Sequence, residues 1–303
     1  MLPAPPVPEG GAVRGIVLMV LAAALFSCLD ATAKYLGQTM NSLDVVWLRY
    51  ITHVLLLALF LRVWSHREAF LTDRPWLHAL RGCHLLGATI FNFWALQYLQ
   101  LAEASAIMFS APLIVTALAG PLLGEAVGLR RWAAVAVGFV GVLVVTRPGT
   151  SAMHWAVILS FCSVVNYALY SILTRRMGGT ESTQSMLMLS TLVGATALSP
   201  LAVSAISSLA GWHWVLAFML GAFGAVGHYA LVIAHKLTSA SQLAPFIYTQ
   251  MIWMILLGYI FFGDTPDLLT LVGTAIIAAS GLYILHRERV RGAQLVSPDP
   301  NIQ

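Results

Sequence analysis

Four charged residues lie within apolar stretches of this sequence, where ionisable groups are costly in lipid and are candidates for function. Asp30 and Lys34 stand late in the first apolar run, and Asp44 and Arg49 stand early in the second. At about 1.5 Å per residue, Asp30 and Arg49 fall roughly 8 Å below the same membrane surface, so we expect them to pair. Lys34 and Asp44 repeat the arrangement nearer the surface. The pairs are interpreted as an outer gate or as a permanent tie between neighbouring helices.

A second group combines polar side chains with aromatic rings near the middle of other apolar runs. Such walls bury the apolar part of an organic solute while a few polar groups orient it. The alternative is hydrogen bonding between neighbouring helices, and a single histidine is either a packed residue or a proton carrier. The candidate substrate-binding residues are Asn92, Trp94, Ser163, Asn166, Tyr167, Tyr170, His228, Tyr248 and Gln250.

Proline and glycine in the same runs indicate where a helix could bend or pack closely. Pro112 and Pro245 leave backbone carbonyl groups free to line a polar cavity. Gly224 and Gly227 lie on a smooth strip, where another helix could pack or the helix itself could flex. We therefore expect hinges or kinks at these four residues.

The composition is that of a membrane protein. Hydrophobic residues make up 59% of the 303 residues and charged residues 9%, whereas soluble domains carry about 25% charged residues. The net charge of +4 is scattered, so no nucleic-acid partner is expected. Cys28, Cys83 and Cys162 lie in apolar runs and are interpreted as packing residues, not as a disulfide or a metal site. No cofactor is expected, and the sequence has no phosphate-binding loop for ATP.

Ten apolar runs are long enough to cross a bilayer, which takes about 20 residues per helix. No alternating pattern typical of a β-barrel is present. The sequence therefore predicts an all-α integral membrane protein with ten transmembrane helices, at residues 15–36, 43–63, 77–99, 102–123, 129–147, 154–175, 184–206, 213–235, 239–262 and 266–286.

The basic residues set the expected orientation. If the N-terminus is cytoplasmic, Lys34 and Arg147 face outside, Arg49 lies within a span, and all other Lys and Arg residues face the cytoplasm. We therefore expect a bacterial inner-membrane protein with both termini cytoplasmic, a disordered tail at 1–14 and a second tail at 287–303. The inner-side residues are Arg14, Arg62, Arg67, Arg74, Arg81, Arg130, Arg131, Arg175, Arg176, Lys236, Arg287, Arg289 and Arg291.

Two stretches of the chain are similar to each other. Residues 101–125 and 237–264 each contain an Ala-Ser step and a proline in an apolar run, and each ends on glycine plus an acid. Ten spans divide into two sets of five, and because five is odd the second set must enter the membrane from the opposite side. The sequence therefore predicts an inverted repeat of 15–147 and 154–286.

These motifs resemble the EamA-type repeats of the drug/metabolite transporter superfamily, over about residues 15–285. The most specific part runs from Ala104-Ser105 through Pro112 to Gly124-Glu125. The second copy departs from the pattern, because Asp264 replaces the usual Glu and Pro245 comes early in its helix. The resemblance implies ten helices in an inverted five-plus-five repeat, with a central cavity lined by spans one, three, four, six, eight and nine. It also implies a carrier of small metabolites, often an amino-acid exporter, with the aromatic amino-acid exporters as one branch.

We therefore expect a secondary carrier, and not an enzyme, that exports small organic metabolites by alternating access through a cavity between the repeats. Hydrophobic or aromatic amino acids are the expected substrates. The expected partners are the solute and the lipid bilayer, with the chain a monomer or a weak homodimer. The alternatives are a carrier for a sugar derivative, nucleoside or drug, an intramembrane enzyme, and a channel.

Overall fold

The structure is a computed structural model that describes residues 11–60, 70–123, 128–151, 153–177, 180–238 and 240–296. Within these residues all regular structure is helical. A short 3₁₀ helix at Ser199–Leu201 connects α8 to α9. The α-helices are α1 (Gly11–Leu36), α2 (Ser42–Phe60), α3 (Pro75–Ala95), α4 (Leu101–Met108), α5 (Ala111–Leu123), α6 (Leu129–Thr146), α7 (Val157–Met177), α8 (Thr183–Ala197), α9 (Ala202–Ser207), α10 (His213–Leu237), α11 (Ala240–Ile247), α12 (Gln250–Phe262) and α13 (Leu268–Val296).

Most of these helices suit a membrane. The described chain contains eight spans that are long and apolar enough to cross one, or nine if α8 and α9, bent by 52°, form a single broken span. Helix α3 has 21 residues but is not among them, and it carries the polar residues His78, Arg81, His84 and Asn92. Large apolar side chains such as Leu55 and Ile252 are more than half exposed, as lipid contact requires. The protein is thus a multi-pass membrane protein, with eight or nine candidate spans among the described residues.

Close pairs of helices form the bundle. Helix α1 packs along α10, α3 along α7, and α6 along α13. In the last pair, a Cβ atom built on Gly141 would lie 2.8 Å from the carbonyl oxygen of Gly273. Because only glycine permits such an approach of two backbones, this pair uses the small-residue packing of membrane helices.

The loops gather at two opposite ends of the bundle. We call the end that holds the C-terminus of α1 the first end, and the other the second end. Side chains tie neighbouring loops and helix ends together within each of them. The ties are Lys34–Asp264 and Arg147–Asp267 at the first end, and His78–Glu181 at the second.

The terminal helices extend beyond the predicted spans. Helix α1 begins at Gly11 and α13 continues to Val296, so parts of both expected tails are helical. A helix satisfies its own backbone hydrogen bonds and can therefore continue from lipid into water, where hydropathy no longer marks it. The remaining tail residues, 1–10 and 297–303, and the predicted Gly124-Glu125 motif lie outside the described residues.

Two spans are interrupted along their length. Phe109 and Ser110 separate α4 from α5, and Tyr248 and Thr249 separate α11 from α12. In both interruptions a hydroxyl group donates to the carbonyl oxygen three residues earlier at 2.6 Å, from Ser110 to Ile107 and from Thr249 to Phe246. These bonds satisfy carbonyl groups in lipid, where water is absent.

The prolines relate differently to the two interruptions. Pro112 follows the first by two residues, so a break falls close to where the sequence predicts one. Pro245 lies inside α11, three residues before the second interruption, and does not itself end a helix.

The glycine strip of α10 serves close packing. Helix α10 runs without interruption from His213 to Leu237, so the structure contains no break at Gly224 or Gly227. A Cβ atom on Gly224 would lie 3.2 Å from His53 Nδ1, and one on Gly227 would lie 3.0 Å from the ring of Phe26. The absent side chains let α10 approach α1 and α2, which is the alternative that the sequence left open.

Candidate functional site

A small, largely enclosed cavity lies between α1, α3, α4 and α12. Its polar side chains are Asp30, Asn92, Ser105 and Gln250. Its volume is about 20 Å³, which is room for about one water molecule. The remaining walls are apolar and consist of Leu96, Leu101, Ala104, Met108, Phe109 and Met254.

Asp30 is bound by α3. The Asn92 side chain donates from Nδ2 to Asp30 Oδ1 at 3.1 Å. One turn earlier on α1, the Ser27 hydroxyl donates to the carbonyl oxygen of Ala23 at 2.9 Å and also lies 3.4 Å from the carbonyl oxygen of Gln250. These contacts fix α1, α3 and α12 around the cavity, so the polar groups are held in place by their neighbours.

Arg49 is also bound to α3, and its partner Thr89 lies about one helical turn from Asn92, the partner of Asp30. Its Nη1 donates to Thr89 Oγ1 at 2.9 Å, and its guanidinium carbon lies 4.9 Å from the centroid of the Tyr50 ring. Arg49 is 7% exposed. Within the described residues, none of its nitrogens lies within 4.0 Å of a carboxylate oxygen.

The predicted Asp30–Arg49 ion pair is therefore wrong as a direct contact. Depth in the membrane gives the position of a residue along the helix axis, but it does not say which neighbouring helix the side chain faces. Here both residues face α3, where Thr89 and Asn92 are three positions apart and share a face.

The predicted Lys34–Asp44 pair is also wrong. Lys34 Nζ lies 2.9 Å from Asp264 Oδ2 and donates to the carbonyl oxygen of Leu99 at 2.8 Å. Asp44 instead accepts from the hydroxyl of Ser204 at 2.8 Å. Asp264 reaches Lys34 because the preceding residue, Gly263, has a φ of 70° and ends α12 with a turn that glycine favours.

Three of the predicted substrate-binding residues on α7 connect α7 to α3 instead of lining the cavity. Hydrogen bonds between helices were the alternative interpretation of this set, and they are what the structure contains. The three bonds are Ser163 Oγ to Ala88 O at 2.8 Å, Asn166 Oδ1 with His84 Nδ1 at 3.0 Å, and Arg81 Nη2 to Tyr170 Oη at 2.7 Å.

Two predicted aromatic residues face away from the cavity. Trp94 is 43% exposed and meets the ring of Trp155 edge-on, with centroids 6.5 Å apart. Tyr167 is 40% exposed on α7. Trp94 follows the cavity residue Asn92 by two positions, and a helix turns about 100° per residue, so the two side chains point in different directions. Neither aromatic ring is in the set that lines the cavity.

Tyr248 stands beside the cavity, whereas His228 packs against α1 and α2. The His228 ring meets Phe26 edge-on at 5.0 Å and lies 5.7 Å from the ring of His53. The Tyr248 ring contacts Phe109, a cavity wall residue, while its hydroxyl lies against Gly281 of α13. Of the predicted substrate-binding residues, therefore, Asn92 and Gln250 line the cavity, and Tyr248 supports its wall.

Several residues of the site were missed from the sequence. Phe109 and Ser105 belong to the duplicated segment, and that repetition was the available signal. Arg81 was counted among the cytoplasmic charges, but it is 2% exposed and bonded to Ser190 and to the carbonyl oxygen of Met186. An arginine near the end of a span looks the same in sequence whether it faces water or a neighbouring helix.

Charged groups at the loop ends have altered pKa values. At the second end, His78 Nε2 lies 3.1 Å from Glu181 Oε2, and this hydrogen bond lowers the pKa of Glu181. At the first end, the backbone N–H of Thr270 donates to Asp267, and this bond, with Arg147 nearby, lowers the pKa of that carboxyl group. Among the described residues no group of three or more His, Cys, Asp or Glu could hold a metal ion.

A known protein structure shares this fold. A solved crystal structure of a protein superposes with a TM-score of 0.61, at 18% identity, over 92% of this chain and 98% of that one. At this identity the likeness shows the fold alone.

Proteins similar in sequence are named as carriers of different solutes. The S-adenosylmethionine uptake transporter of Rickettsia prowazekii is 28% identical over 91% of this chain and 94% of its own. The riboflavin transporter of Rhizobium johnstonii is 29% identical over 92% of this chain and 93% of its own. The pseudopaline exporter of Pseudomonas aeruginosa is 24% identical over 88% of this chain and 94% of its own.

The family assignment covers nearly the whole chain. Residues 13–147 and 154–286 each match the EamA-like transporter family. The two matches together span both groups of helices that meet around the cavity. The chain therefore belongs to the EamA-like transporter family, within the drug/metabolite transporter superfamily.

Proposed function

We propose that this protein is a ten-span secondary carrier of the bacterial inner membrane, an inverted repeat of residues 15–147 and 154–286 with both termini cytoplasmic. Two features support ten spans. Helix α3 has a length of 21 residues, and α8 with α9 can form one broken span. The two matches to one family model support two repeats, and bacterial relatives support the membrane assigned.

The observation that carries the transport mechanism is the meeting of the two interrupted spans. They are the fourth and ninth in the proposed order, so they occupy corresponding positions in the two halves. Phe109 and Tyr248, one from each interruption, contact each other beside the cavity. In transporters with inverted repeats, discontinuous helices form the substrate site where the repeats meet.

The proposed cavity is closed in the described conformation. A volume of about 20 Å³ admits about one water molecule, which is far smaller than an organic metabolite. A solute therefore enters only when the helices around the cavity separate. Alternating access supplies this separation, toward one side of the membrane and then the other.

The proposed substrates are ring-bearing organic metabolites between an amino acid and a nucleoside derivative in size. Phe109, Met108 and Met254 give the cavity an aromatic and thioether wall, which suits flat rings. The names of the relatives include S-adenosylmethionine and riboflavin, both of which contain fused heteroaromatic rings. Aromatic amino acids fit the same description. Because the relatives include both uptake and export proteins, we propose exchange whose net direction follows the solute gradient.

Counterflow in proteoliposomes tests this function. Vesicles containing the purified protein are loaded with unlabelled solute and then given labelled S-adenosylmethionine, riboflavin, phenylalanine, tryptophan, methionine or leucine. We expect accumulation of at least one ring-bearing solute, and its loss in Phe109→Ala. Trp94→Ala is the matched control, because it removes an exposed ring that lies outside the cavity. Exchange of methionine or leucine alone, which carry no ring, would contradict the substrate class, and no exchange of any solute would contradict the carrier.

A further inference from the structure

We propose that Asp30 and Arg49 together bind the zwitterionic head of an α-amino acid, Asp30 its ammonium group and Arg49 its carboxylate. The inference rests on the proposed function and deepens it, since it names the part of the solute that the site recognises. It also makes Arg49 of α2 a recognition residue, whereas the sequence predicted it only as a gating or structural charge.

Helix α3 holds the two charges side by side. Asn92 donates to Asp30, and Thr89 accepts from Arg49. Residues three apart on a helix have Cβ atoms about 5–6 Å from each other, so the acid and the base are anchored one helical turn apart. Within the described residues the two side chains form no direct ion pair. An α-amino acid carries its two charges on one carbon and can bridge such a separation.

The arginine side has unused hydrogen-bonding groups. Arg49 Nε is buried and has no hydrogen-bond partner within the described residues. His53, four residues further along α2 and on the same face, is 1% exposed, and neither of its ring nitrogens has a partner in that part of the chain. Buried polar atoms are nearly always satisfied by protein, ordered water or a ligand, so these three atoms on one helix face are available to a ligand that reaches them. A carboxylate accepts from guanidinium and imidazole groups.

The acid side opens onto the cavity. Asp30, Asn92 and Gln250 line it together. A carboxylate and two amide oxygens at one cavity are acceptors for an ammonium group. The apolar walls around Phe109 and Met254 then surround the side chain of the solute.

Charge balance favours a zwitterion over a singly charged ligand. Bringing a lone anion to Arg49 would leave Asp30 uncompensated in a bilayer, and a lone cation at Asp30 would leave Arg49 in the same state. Uncompensated charges in this environment are costly. A ligand with both charges satisfies both residues at once, so the site should discriminate against analogues that lack either group.

The test compares three ligands that share one ring. Phenylalanine carries both charges, 3-phenylpropionate only the carboxylate, and 2-phenylethylamine only the ammonium group. S-adenosylhomocysteine and 5′-methylthioadenosine, both neutral at sulfur, repeat the comparison with and without the head on a larger ring system. Each compound is measured twice with the full-length protein. One readout is inhibition of counterflow, and the other is thermal stabilisation of the detergent-purified protein, which reports binding without transport.

For the native protein we expect the zwitterion to bind at least about tenfold more tightly than either singly charged analogue. Arg49→Gln should weaken the binding of phenylalanine by about tenfold or more, while 2-phenylethylamine should bind as well or better, because no uncompensated Arg49 charge remains. Asp30→Asn should likewise weaken the binding of phenylalanine, while 3-phenylpropionate should bind as well or better. Arg49→Lys and Asp30→Glu keep the charges and should recover part of the binding. Asp44→Asn and Arg176→Gln remove an acid and a base outside the proposed site, and they should leave the relative binding of the three ring compounds unchanged.

The outcomes separate this inference from the proposed function. Equal binding of all three ring compounds by the native protein would overturn the inference, and so would an equal weakening of every ligand, riboflavin included, in the variants. Exchange of riboflavin with no binding of phenylalanine or S-adenosylhomocysteine would also overturn it, while the carrier would remain. Selective binding of the zwitterion without any exchange would uphold the inference and remove the proposed function.

Discussion

Phe109 and Tyr248 contact each other edge to face, with ring centroids 5.0 Å apart and planes at 71°. Each ring belongs to the two-residue interruption of its span. The contact therefore joins the two irregular segments of the chain directly, next to the cavity that Phe109 lines. Any movement that separates the helices around the cavity changes the surroundings of these two rings.

Replacing Tyr248 distinguishes the role of its ring from that of its hydroxyl. The hydroxyl is buried and has no hydrogen-bond partner in the described residues, so Tyr248→Phe should unfold at the same or a higher temperature and transport normally. Tyr248→Ala loses the aromatic pair, worth about 0.5–1.5 kcal/mol beyond burial, and should lower both stability and exchange. Thermal unfolding in detergent and counterflow measure these effects. A Tyr248→Phe variant as impaired as Tyr248→Ala would show that the hydroxyl is essential.

The glycines of α10 should differ in their tolerance of alanine. A Cβ atom at Gly221 would overlap Thr52, whereas at Gly224 the nearest atom is 3.2 Å away, and at Gly258 of α12 it is 3.6 Å away. Overpacking costs about 1–3 kcal/mol, so Gly221→Ala should be the least stable of the three and Gly258→Ala should match the native protein. Unfolding temperatures give the order. An equally stable Gly221→Ala would mean that α2 and α10 do not pack this closely.

The Lys34–Asp264 pair should show energetic coupling. Their side chains are 12% and 24% exposed, and residues in direct contact typically couple by about 0.5–3 kcal/mol. Lys34→Met should cost more than Asp264→Asn, because Lys34 also donates to Leu99. A double-mutant cycle on the free energy of unfolding measures the coupling. The same cycle with Lys34 and Asp44 is the control, and coupling there in place of Asp264 would contradict the structure.

The His78–Glu181 contact should make stability depend on acid pH. Its hydrogen bond lowers the pKa of Glu181 below the ordinary value of 4.5, so the unfolded state binds a proton at higher pH than the folded state. The stabilisation is then fully present above 4.5 and is lost as pH falls through the lower folded pKa. Glu181→Gln should remove this loss. The unfolding temperatures of the native protein and of Glu181→Gln should converge as the pH falls. Parallel curves would show that the His78–Glu181 contact does not contribute to stability.

Both termini should be cytoplasmic. The inner loops and helix ends carry most of the Lys and Arg residues under this orientation. A reporter active only in the periplasm, fused after Gln303, should be silent, and a reporter active only in the cytoplasm should give signal. Fusions within the loop at 148–151 should give the opposite result. Periplasmic activity at the C-terminus would require either an odd number of spans or the reverse orientation, and each would contradict the proposed topology.

The sequence by itself determined the class of the protein and its family. A chain with 59% hydrophobic and 9% charged residues has to place most of its faces in lipid, and helices are the structure that satisfies backbone groups there. The duplicated segment with Pro112 and Pro245 led to the EamA-type resemblance, which the family comparison confirmed. These conclusions depend on composition and local pattern, which are properties of the linear chain.

Only the tertiary structure decided which side chains meet. Asp30, Lys34, Asp44 and Arg49 were predicted to pair by depth, but each is bound by another helix or segment of the fold. Depth follows from counting residues, whereas the direction of a side chain around its helix and the identity of the facing helix follow from packing. The same reason separates Asn92, which lines the cavity, from Trp94 two residues later, which does not.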